Sequence, residues 1–490
     1  MNLKKSITWA ITGLFIFASA LQAEEIKGDK TAGKTDARRL AKSGMADDGP
    51  TSTFFNINSW KIQMEHQGFF QWNGTSHGSA GNYPKGMGSV IFAEGILWGV
   101  KATDKYGVDA TTGEILTDGS GAGTPRVRVN GSMYNTGLKA GKVLRDANGV
   151  IKTKDYSENY RDQQIWRVRK DWNTGDLTVD ASILRDISVS DVTEAMITAD
   201  NAQYEKDWNN WPTHLGAPFY DLDNDGVYEP ADGETPGVAN ADQVIWYVVS
   251  DADVGTTSSL YGCTPIGIEI QYTLWGYNQP GAALGQIVFK NIRVLNKGSA
   301  DLTDAYISLW SDPDVGDYTN DFVGVDTSLS MMFAYNGGPD DGDYAAYGLA
   351  PAAVGYDFFA GPIVESPGDT AIFNLKKRPG YKNLPASSFG YFVAGGVYSD
   401  PGPYGDTEAA REYYNLMRGF APTDDLDNPT AWIDSSSGSN VDTKFPLAGD
   451  PVAGTGDLDA NPADRRMLIN AGPFTLAVGD TQDVVTAVIG

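Results

Sequence analysis

The sequence is poor in the residues that form disulfides and bind zinc. Among its 490 residues it has one cysteine, Cys263, and 3 histidines. A lone cysteine cannot form an internal disulfide, and we expect it to be a small buried residue in a strand rather than a reactive thiol. The sequence has no HExxH motif, so a zinc protease is unsupported. Stability must come from a large hydrophobic core, to which bound metal can add.

Long apolar runs are also scarce, and the one clear run lies at the start. Lys4 and Lys5 precede apolar residues 7–21, and small residues follow up to Ala23. This order is typical of a secretory signal peptide, predicted over residues 1–23, with cleavage after Ala20 as the alternative. A membrane anchor is the other interpretation, but the run falls short of the ~20 residues that a spanning helix needs. No later run is long enough to span a bilayer.

Positive charge is in short supply. The chain has 37 Lys and Arg against 63 Asp and Glu, a formal net charge of -26. Removing Lys4 and Lys5 with the signal peptide gives -26 - 2 = -28. Such a chain is repelled by nucleic acid and by anionic membranes, and it favours bound cations.

Patterns along the chain predict four regions. Residues 1–23 are the signal peptide, and residues 24–52, charged and without aromatic residues, are a flexible leader. Residues 53–242 form an N-terminal β-rich domain that ends in a calcium-type loop, and residues 243–490 form a β-sandwich region. The fold class is therefore mainly all-β, a multidomain β-sandwich architecture with a few short helices and long calcium-binding-type loops.

The strand signal is strongest in the second half. Apolar side chains alternate over residues 268–275, which predicts a half-buried strand. In residues 287–295 the alternation slips, which predicts a β-bulge. Helices are expected over residues 191–208, capped by Asp191, and after Asp406 or Thr407 up to Gly419.

The most specific motif is an acidic loop at residues 221–232. Carboxylates stand at loop positions one, three, five, nine and twelve, glycine stands at position six, and Val227 can offer a backbone carbonyl at position seven. Calcium takes six to eight oxygen ligands, and this spacing wraps a chain around one ion. Pro218 and Pro230 argue against the flanking helices of an EF-hand; a solvated acidic turn is the alternative. The carboxylates are Asp221, Asp223, Asp225, Glu229 and Asp232.

A second acidic cluster lies between two predicted strands. Its five carboxylates would repel one another unless a cation neutralised them, so a second calcium site and an exposed acidic loop are both open. The residues are Asp312, Asp314, Asp317, Asp321 and Asp326.

Signals for catalysis are weak. Residues 74–78 match GxSxG around Ser76, but loop sequence follows where a nucleophile elbow requires a helix. A glycine-rich stretch at residues 119–123 is not followed by the lysine or helix of a phosphate loop. Aromatic residues beside the acidic loops are compatible with carbohydrate binding or carbohydrate hydrolysis, although most of the 12 tryptophans are expected in the core.

Several segments resemble large, uncharacterised bacterial surface proteins that are cargo of the type IX secretion system. The resemblance covers about residues 200–490 and rests on Asp-Trp-Asn-Asn-Trp-Pro at 207–212, Gly-Ala-Pro-Phe-Tyr-Asp at 216–221 and Ala-Asp-Gln-Val-Ile-Trp at 241–246, with further matches at 310–316, 321–326, 354–359, 472–476 and 479–480. It implies a cell-surface location rather than a reaction. Members of this family usually end in a C-terminal β sorting domain, which this sequence does not show. The sequence stops at Gly490 at the end of an apolar strand pattern, so we expect the reading frame to continue beyond it.

These observations predict a secreted or cell-surface, calcium-stabilised protein of structural or adhesion type without recognisable catalytic machinery. Surface polysaccharides or other surface proteins are the expected partners. The alternative is an extracellular carbohydrate-binding or carbohydrate-active protein.

Overall fold

The computed structural model describes residues 50–71, 79–102, 126–152 and 163–490. The predicted signal peptide, nearly all of the predicted leader, the GxSxG match and the glycine-rich stretch at 119–123 lie outside these ranges. No described helix is both long and apolar enough to cross a lipid bilayer.

Antiparallel strands dominate the described residues, which confirms the predicted mainly β fold. The strands are β1 (Ser52–Phe55), β2 (Lys61–Glu65), β3 (Phe69–Gln71), β4 (Gly81–Asn82), β5 (Ser89–Ile91), β6 (Ala93–Ala102), β7 (Arg126–Gly131), β8 (Lys139–Ala140), β9 (Trp166–Arg169), β10 (Phe219–Tyr220), β11 (Thr235–Pro236), β12 (Gln243–Ser250), β13 (Ile268–Gly276), β14 (Ile287–Asn296), β15 (Leu302–Asp312), β16 (Asp321–Asp326), β17 (Met331–Asn336), β18 (Ala353–Ala360), β19 (Ile363–Phe373), β20 (Lys376–Asn383), β21 (Ser388–Val393), β22 (Trp432–Asp434), β23 (Val441–Thr443), β24 (Arg465–Leu476) and β25 (Thr481–Ile489).

The α-helices in the described ranges are few and mostly short. They are α1 (Thr178–Arg185), α2 (Glu194–Asn209), α3 (Val254–Tyr261), α4 (Gly342–Ala345) and α5 (Thr407–Arg418).

Two large sheets carry most of the strands. A nine-stranded sheet has the order β16-β17-β18-β25-β14-β13-β12-β8, with β9 also paired to β12. A six-stranded sheet has the order β21-β24-β15-β6-β3, with β7 also paired to β6. A smaller sheet has the order β1-β2-β4-β5, and β10-β11, β19-β20 and β22-β23 form two-stranded ladders.

The main core lies between the two large sheets, as in a β-sandwich. Along β12, Ile245 and Tyr247 belong to the core cluster that contains Ile307 and Leu309 of β15. These residues belong to opposite sheets, so alternate side chains of each strand meet between the layers.

Both outer faces of the sandwich are covered as well. Trp246 of β12 packs in a second cluster with Trp211 and Leu215 from the segment after α2. Trp310 of β15 packs in a third cluster with Tyr413 of α5. Each large sheet is therefore buried on two faces over much of its area.

This double coverage changes the expectation for residues 268–275. All nine residues of β13 are buried, including Glu269 and Gln271 on the face that the alternation assigns to solvent. Gln271 donates to the Leu215 carbonyl at 2.9 Å, so the segment after α2 lies over that face. The predicted half-buried strand is wrong for this reason.

The predicted bulge over residues 287–295 is also wrong. Strand β14 pairs in continuous register with β13 on one side and β25 on the other. Lys290 occupies a buried position in this strand and forms an ion pair with Glu94 of the opposite sheet. A charged residue at an inner position interrupts the apolar alternation without any change in the backbone.

The helix predictions are partly confirmed. Asp406 caps α5 by accepting from the amide of Glu408 at 2.9 Å, and Gly419 ends the helix with a φ of 89°. Helix α2 is capped by Thr193 instead of Asp191, which belongs to a short 3₁₀ helix just before it. Cys263 is buried as expected, but it follows α3 rather than lying in a strand.

Strands from both sides of the predicted boundary at residue 242 share the large sheets. Strand β6 pairs with β15 along the six-stranded sheet, and β9 and β8 pair with β12 in the nine-stranded sheet. Residues 53–242 thus supply strands to the same sandwich as residues 243–490.

Candidate metal centres

The acidic loop at residues 221–232 connects the two short strands β10 and β11. These strands pair antiparallel, with Phe219 opposite Pro236. The rings of Phe219 and Tyr228 lie 5.4 Å apart and pack against the aromatic cluster on the outer face of the nine-stranded sheet. The base of the loop is therefore anchored, while its acidic tip faces solvent.

Three of the predicted ligands converge at this tip. The carboxylates of Asp221, Asp223 and Asp225 each offer one oxygen, and these oxygens lie within 4.8 Å of one another. Calcium–oxygen bonds measure about 2.3–2.6 Å, so one ion can contact all three oxygens.

Backbone amides fold the chain around these carboxylates. Asp221 accepts from the amide of Asn224 at 2.7 Å and from that of Gly226 at 3.1 Å. Asp225 accepts from the amide of Val227 at 2.7 Å. Gly226 has a φ of +79°, in the left-handed region that favours glycine. The backbone of the turn therefore favours glycine at the position where the motif places it.

The remaining predicted ligands lie beside this group. Val227 is exposed directly after Gly226, and Asp232 ends a 3₁₀ turn at Pro230–Asp232. Neither Glu229 nor Asp232 belongs to the three converging carboxylates. The charge of Asp225, with smaller effects of burial and of Asp232, raises the pKa of Glu229. The carboxylates of the loop thus repel one another.

One carboxylate that the sequence did not single out holds the loop together. Glu234 is buried, and its two oxygens accept from the amide of Leu222 at 2.9 Å and from that of Glu229 at 2.8 Å. It therefore ties the start of the loop to its end. Its position just after the motif is the only signal in the sequence, and its burial depends on the fold.

In the second predicted cluster, the carboxylates that lie close together are not the five that the sequence predicted. Asp312 ends β15, Asp314 follows it, and Asp464 directly precedes β24, the strand paired to β15. One oxygen from each of these three carboxylates lies within 4.8 Å of the others. The sequence does not indicate Asp464, because this residue is far from Asp314 along the chain and is brought close only by strand pairing.

The other predicted members of this cluster have separate positions. Asp317 accepts from the amide of Thr319 at 3.0 Å and caps the 3₁₀ turn Tyr318–Asn320. Asp326 accepts from the amide of Ser328 at 2.8 Å in the turn between β16 and β17. Asp321 is buried next to the cluster, where its Oδ2 accepts from the amide of Val315 at 2.9 Å.

Burial and mutual repulsion shift the acidities of this cluster. Burial, followed by the charge of Asp464, raises the pKa of Asp314 to about 7. Burial also raises the pKa of Asp321 to about 9, with further contributions from Asp314, Asp341 and Asp312. Ionising Asp314 and Asp321 in the folded protein is therefore energetically unfavourable compared with ionising an exposed aspartate.

One arginine offsets part of the charge. Arg466 lies 2.6 Å from Asp464 and 3.6 Å from Asp312, and it also approaches Asp400 at 3.7 Å. The hydroxyl of Tyr134 donates to Asp312 Oδ2 at 2.8 Å and accepts from Arg466 Nε at 2.6 Å. The arginine and the tyrosine thus occupy one side of the cluster.

No known family model matches this chain, and no curated protein is significantly similar to it. The likeness of residues 200–490 to type IX secretion cargo stays a prediction from the sequence.

Proposed function

We propose that this protein is exported and acts at the cell surface as a calcium-stabilised structural or adhesion-type protein. The observation that carries the proposal is the convergence of the Asp221, Asp223 and Asp225 oxygens within 4.8 Å in an exposed loop. Such a loop, rich in oxygen ligands and anchored at its base, suits an ion that stabilises the fold rather than one that activates a substrate.

The charge of the chain supports a structural cation. A formal net charge of -26 is distributed over a chain that cannot form an internal disulfide. Extracellular modules bind calcium with dissociation constants of about 10⁻⁴–10⁻³ M, and a site of this class supplies stability where disulfides do not. The partners that we propose are surface polysaccharides or other surface proteins, since nucleic acid would be repelled.

The alternative, a carbohydrate-binding or carbohydrate-active protein, has less support. Stacking on sugars needs exposed aromatic faces, which tryptophan supplies best. Every tryptophan within the described ranges is buried or half-buried, and Trp60, Trp246 and Trp310 are among the largest fully buried side chains. Tyr220 beside the acidic loop is exposed, and it lines one pocket together with Trp208, whose side chain is half-buried.

Thermal unfolding with and without calcium tests the proposal. Calcium bound only to the folded state adds RT ln(1 + [L]/Kd), or about 2.7 kcal/mol at a hundredfold excess over Kd. We expect the Tm of the wild type to rise in calcium relative to chelator, and Asp225→Ala to lose most of the part of this rise that the loop supplies. The rise would be retained in Asp425→Ala, an exposed aspartate that accepts from the amides of Asp427 and Asn428 in an unrelated turn.

A wild type whose Tm is the same in calcium and in chelator, and which shows no calcium binding by calorimetry, would contradict the proposal. Export is tested separately by N-terminal sequencing of protein recovered outside the cytoplasm, which should begin at Glu24, or at Leu21 if cleavage follows Ala20. Exported protein that still begins at Met1 would contradict the predicted signal peptide.

A further inference from the structure

The cluster at the end of β15 brings together carboxylates from two distant segments. Asp312 and Asp314 come from the end of β15, and Asp464 comes from the start of β24, its neighbour in the six-stranded sheet. One oxygen of each lies within 4.8 Å of the others, a spacing that a single ion with oxygen ligands at about 2.4 Å can bridge. Asp314 and Asp464 are half-buried, so a cation can reach them from solvent.

Carboxylates often lie close together without a bound ion. At this cluster, unpaired buried oxygens are a second observation that points to a bound cation. Asp312 is only 2% exposed, and its Oδ1 has no hydrogen-bond partner, although its Oδ2 accepts from Tyr134. Asp321, with 0% exposure, likewise has a buried Oδ1 without a partner. A buried acceptor without a donor costs on the order of 1–3 kcal/mol, and more when it is charged. A bound cation would satisfy such an oxygen.

The contacts of Arg466 involve only some of the carboxylate oxygens of the cluster. Arg466 lies beside Asp464 Oδ1 and Asp312 Oδ2, the same Asp312 oxygen that Tyr134 contacts. The second oxygen of Asp464 and Oδ1 of Asp312 are not used in these contacts. One guanidinium balances one carboxylate, so the others among Asp312, Asp314, Asp464 and the adjacent Asp400 and Asp321 need either a proton or a bound cation.

We propose that Asp312, Asp314 and Asp464 bind a second divalent cation, with the buried carboxyl of Asp321 next to them. The three ligand groups are all carboxylates, which selects a hard cation, and we assign calcium, with water supplying the remaining ligands. This ion would join the ends of β15 and β24 next to the first residue of β16, which begins the edge strand of the other large sheet. The site does not depend on the loop at residues 221–232 and therefore goes beyond the proposed function.

The number of bound calcium ions tests this site. Isothermal titration calorimetry of the chelator-treated wild type should show two equivalents of calcium, and Asp225→Ala and Asp314→Asn should each show one. Asp317→Asn is the matched control, because Asp317 lies three residues from Asp314 but caps a turn outside the converging group. It should retain two equivalents.

The outcomes separate the two sites. A single equivalent that Asp225→Ala abolishes and Asp314→Asn leaves in place overturns the second site while the loop site stands; it means that protons or water serve the buried oxygens instead. A single equivalent lost only in Asp314→Asn overturns the loop site and supports this one.

A crystallographic experiment keeps the proposal testable if Asp314→Asn fails to fold. Wild-type crystals soaked in terbium, a calcium substitute, should show an anomalous peak between Asp312, Asp314 and Asp464. A peak at the loop of residues 221–225 without one at this cluster overturns the second site.

Discussion

At the scale of single residues, Glu94 and Lys290 form a buried ion pair. Glu94 belongs to β6 and Lys290 to β14, so the pair crosses the sandwich between the two large sheets. Both side chains are less than a tenth exposed. Two charged groups can be buried here because each one is paired with the opposite charge of the other.

Removing one member of this ion pair should lower the free energy of unfolding more than replacing both members with apolar residues. Lys290→Met leaves Glu94 buried without its cation, and we expect the free energy of unfolding to fall by about 3–5 kcal/mol. Adding Glu94→Leu removes the stranded charge and should recover most of that loss. Urea unfolding of the two variants and the wild type measures both changes. If Lys290→Met/Glu94→Leu is less stable than Lys290→Met, the unpaired charge of Glu94 is not the main cause of the loss of stability.

A second residue-scale prediction concerns Asp207. Burial raises the pKa of this carboxyl to about 7, although it accepts from Gln203 at 2.8 Å. Its pKa in the unfolded chain is about 3.9, so between these values the folded state holds a proton that the unfolded state has lost. Stability contributed by this group is therefore full below pH ~4 and is lost as the pH rises through about 7, by up to about 1.4 kcal/mol per pH unit.

Asp207→Asn should remove this pH dependence, because asparagine resembles the protonated carboxyl. The free energy of unfolding measured from pH 4 to pH 8 should fall less steeply in the variant than in the wild type. Asp200→Asn is a suitable control, since Asp200 lies on the same helix but pairs with Arg185 at 2.6 Å. Parallel curves for Asp207→Asn and the wild type would show that the pKa of Asp207 is not raised in the folded protein.

At the scale of elements, the sequence predicted those features that depend only on neighbouring residues. Helix α5 begins and ends at the predicted capping residues because an aspartate at the start and a glycine at the end act within one turn. Asp221, Asp223 and Asp225 lie close together because they stand within five consecutive residues, whereas Glu229 and Asp232, predicted as ligands of the same loop, do not belong to this group. Neither feature needs information from distant parts of the chain.

Contacts between distant parts of the chain explain the features that the sequence did not predict. The burial of Glu269 depends on a segment that covers the sheet from outside, and Glu269 is satisfied there by the amide of Val143 at 2.9 Å and by Lys297 at 2.7 Å. The inward position of Lys290 depends on Glu94 in the opposite sheet. Asp464 joins the acidic cluster only because β24 pairs with β15. No window of neighbouring residues contains these partners.

The packing of α5 on the six-stranded sheet gives an element-scale prediction. Leu416 is fully buried in the cluster between them, whereas Asp406 caps the exposed start of the helix. Leu416→Ala should lower the free energy of unfolding by about 2–5 kcal/mol, because it removes apolar contacts and leaves a cavity. Asp406→Ala should cost about 1 kcal/mol, the usual value of one N-cap. Equal losses in denaturant unfolding would show that packing of this face adds little to the helix.

At the scale of the whole molecule, the sheets are built from strands that are far apart in the chain. Strand β6 lies inside the six-stranded sheet, where it pairs with β15 on one side and with β3 and β7 on the other. Strand β25, near the end of the chain, lies between β14 and β18 inside the nine-stranded sheet. Removing either half of the chain therefore exposes open sheet edges and the apolar faces beside them.

This interleaving predicts that fragments divided at residue 242 do not fold separately. A fragment of residues 243–490 would lose β6 from beside β15, and β8 and β9 from beside β12, so buried residues such as Trp246 and Leu309 would be exposed. We expect each fragment to lack a cooperative thermal transition and the near-ultraviolet circular dichroism of packed aromatics, and co-expression of both to restore them. The control is full-length protein nicked by a protease near Gly368, an exposed position in the irregular part of β19 between Glu365 and Thr370. It should keep its Tm because the cut lies outside the paired positions of the β19–β20 ladder. A fragment of residues 243–490 that unfolds cooperatively on its own would show instead that the nine-stranded sheet is stable without the strands before residue 242.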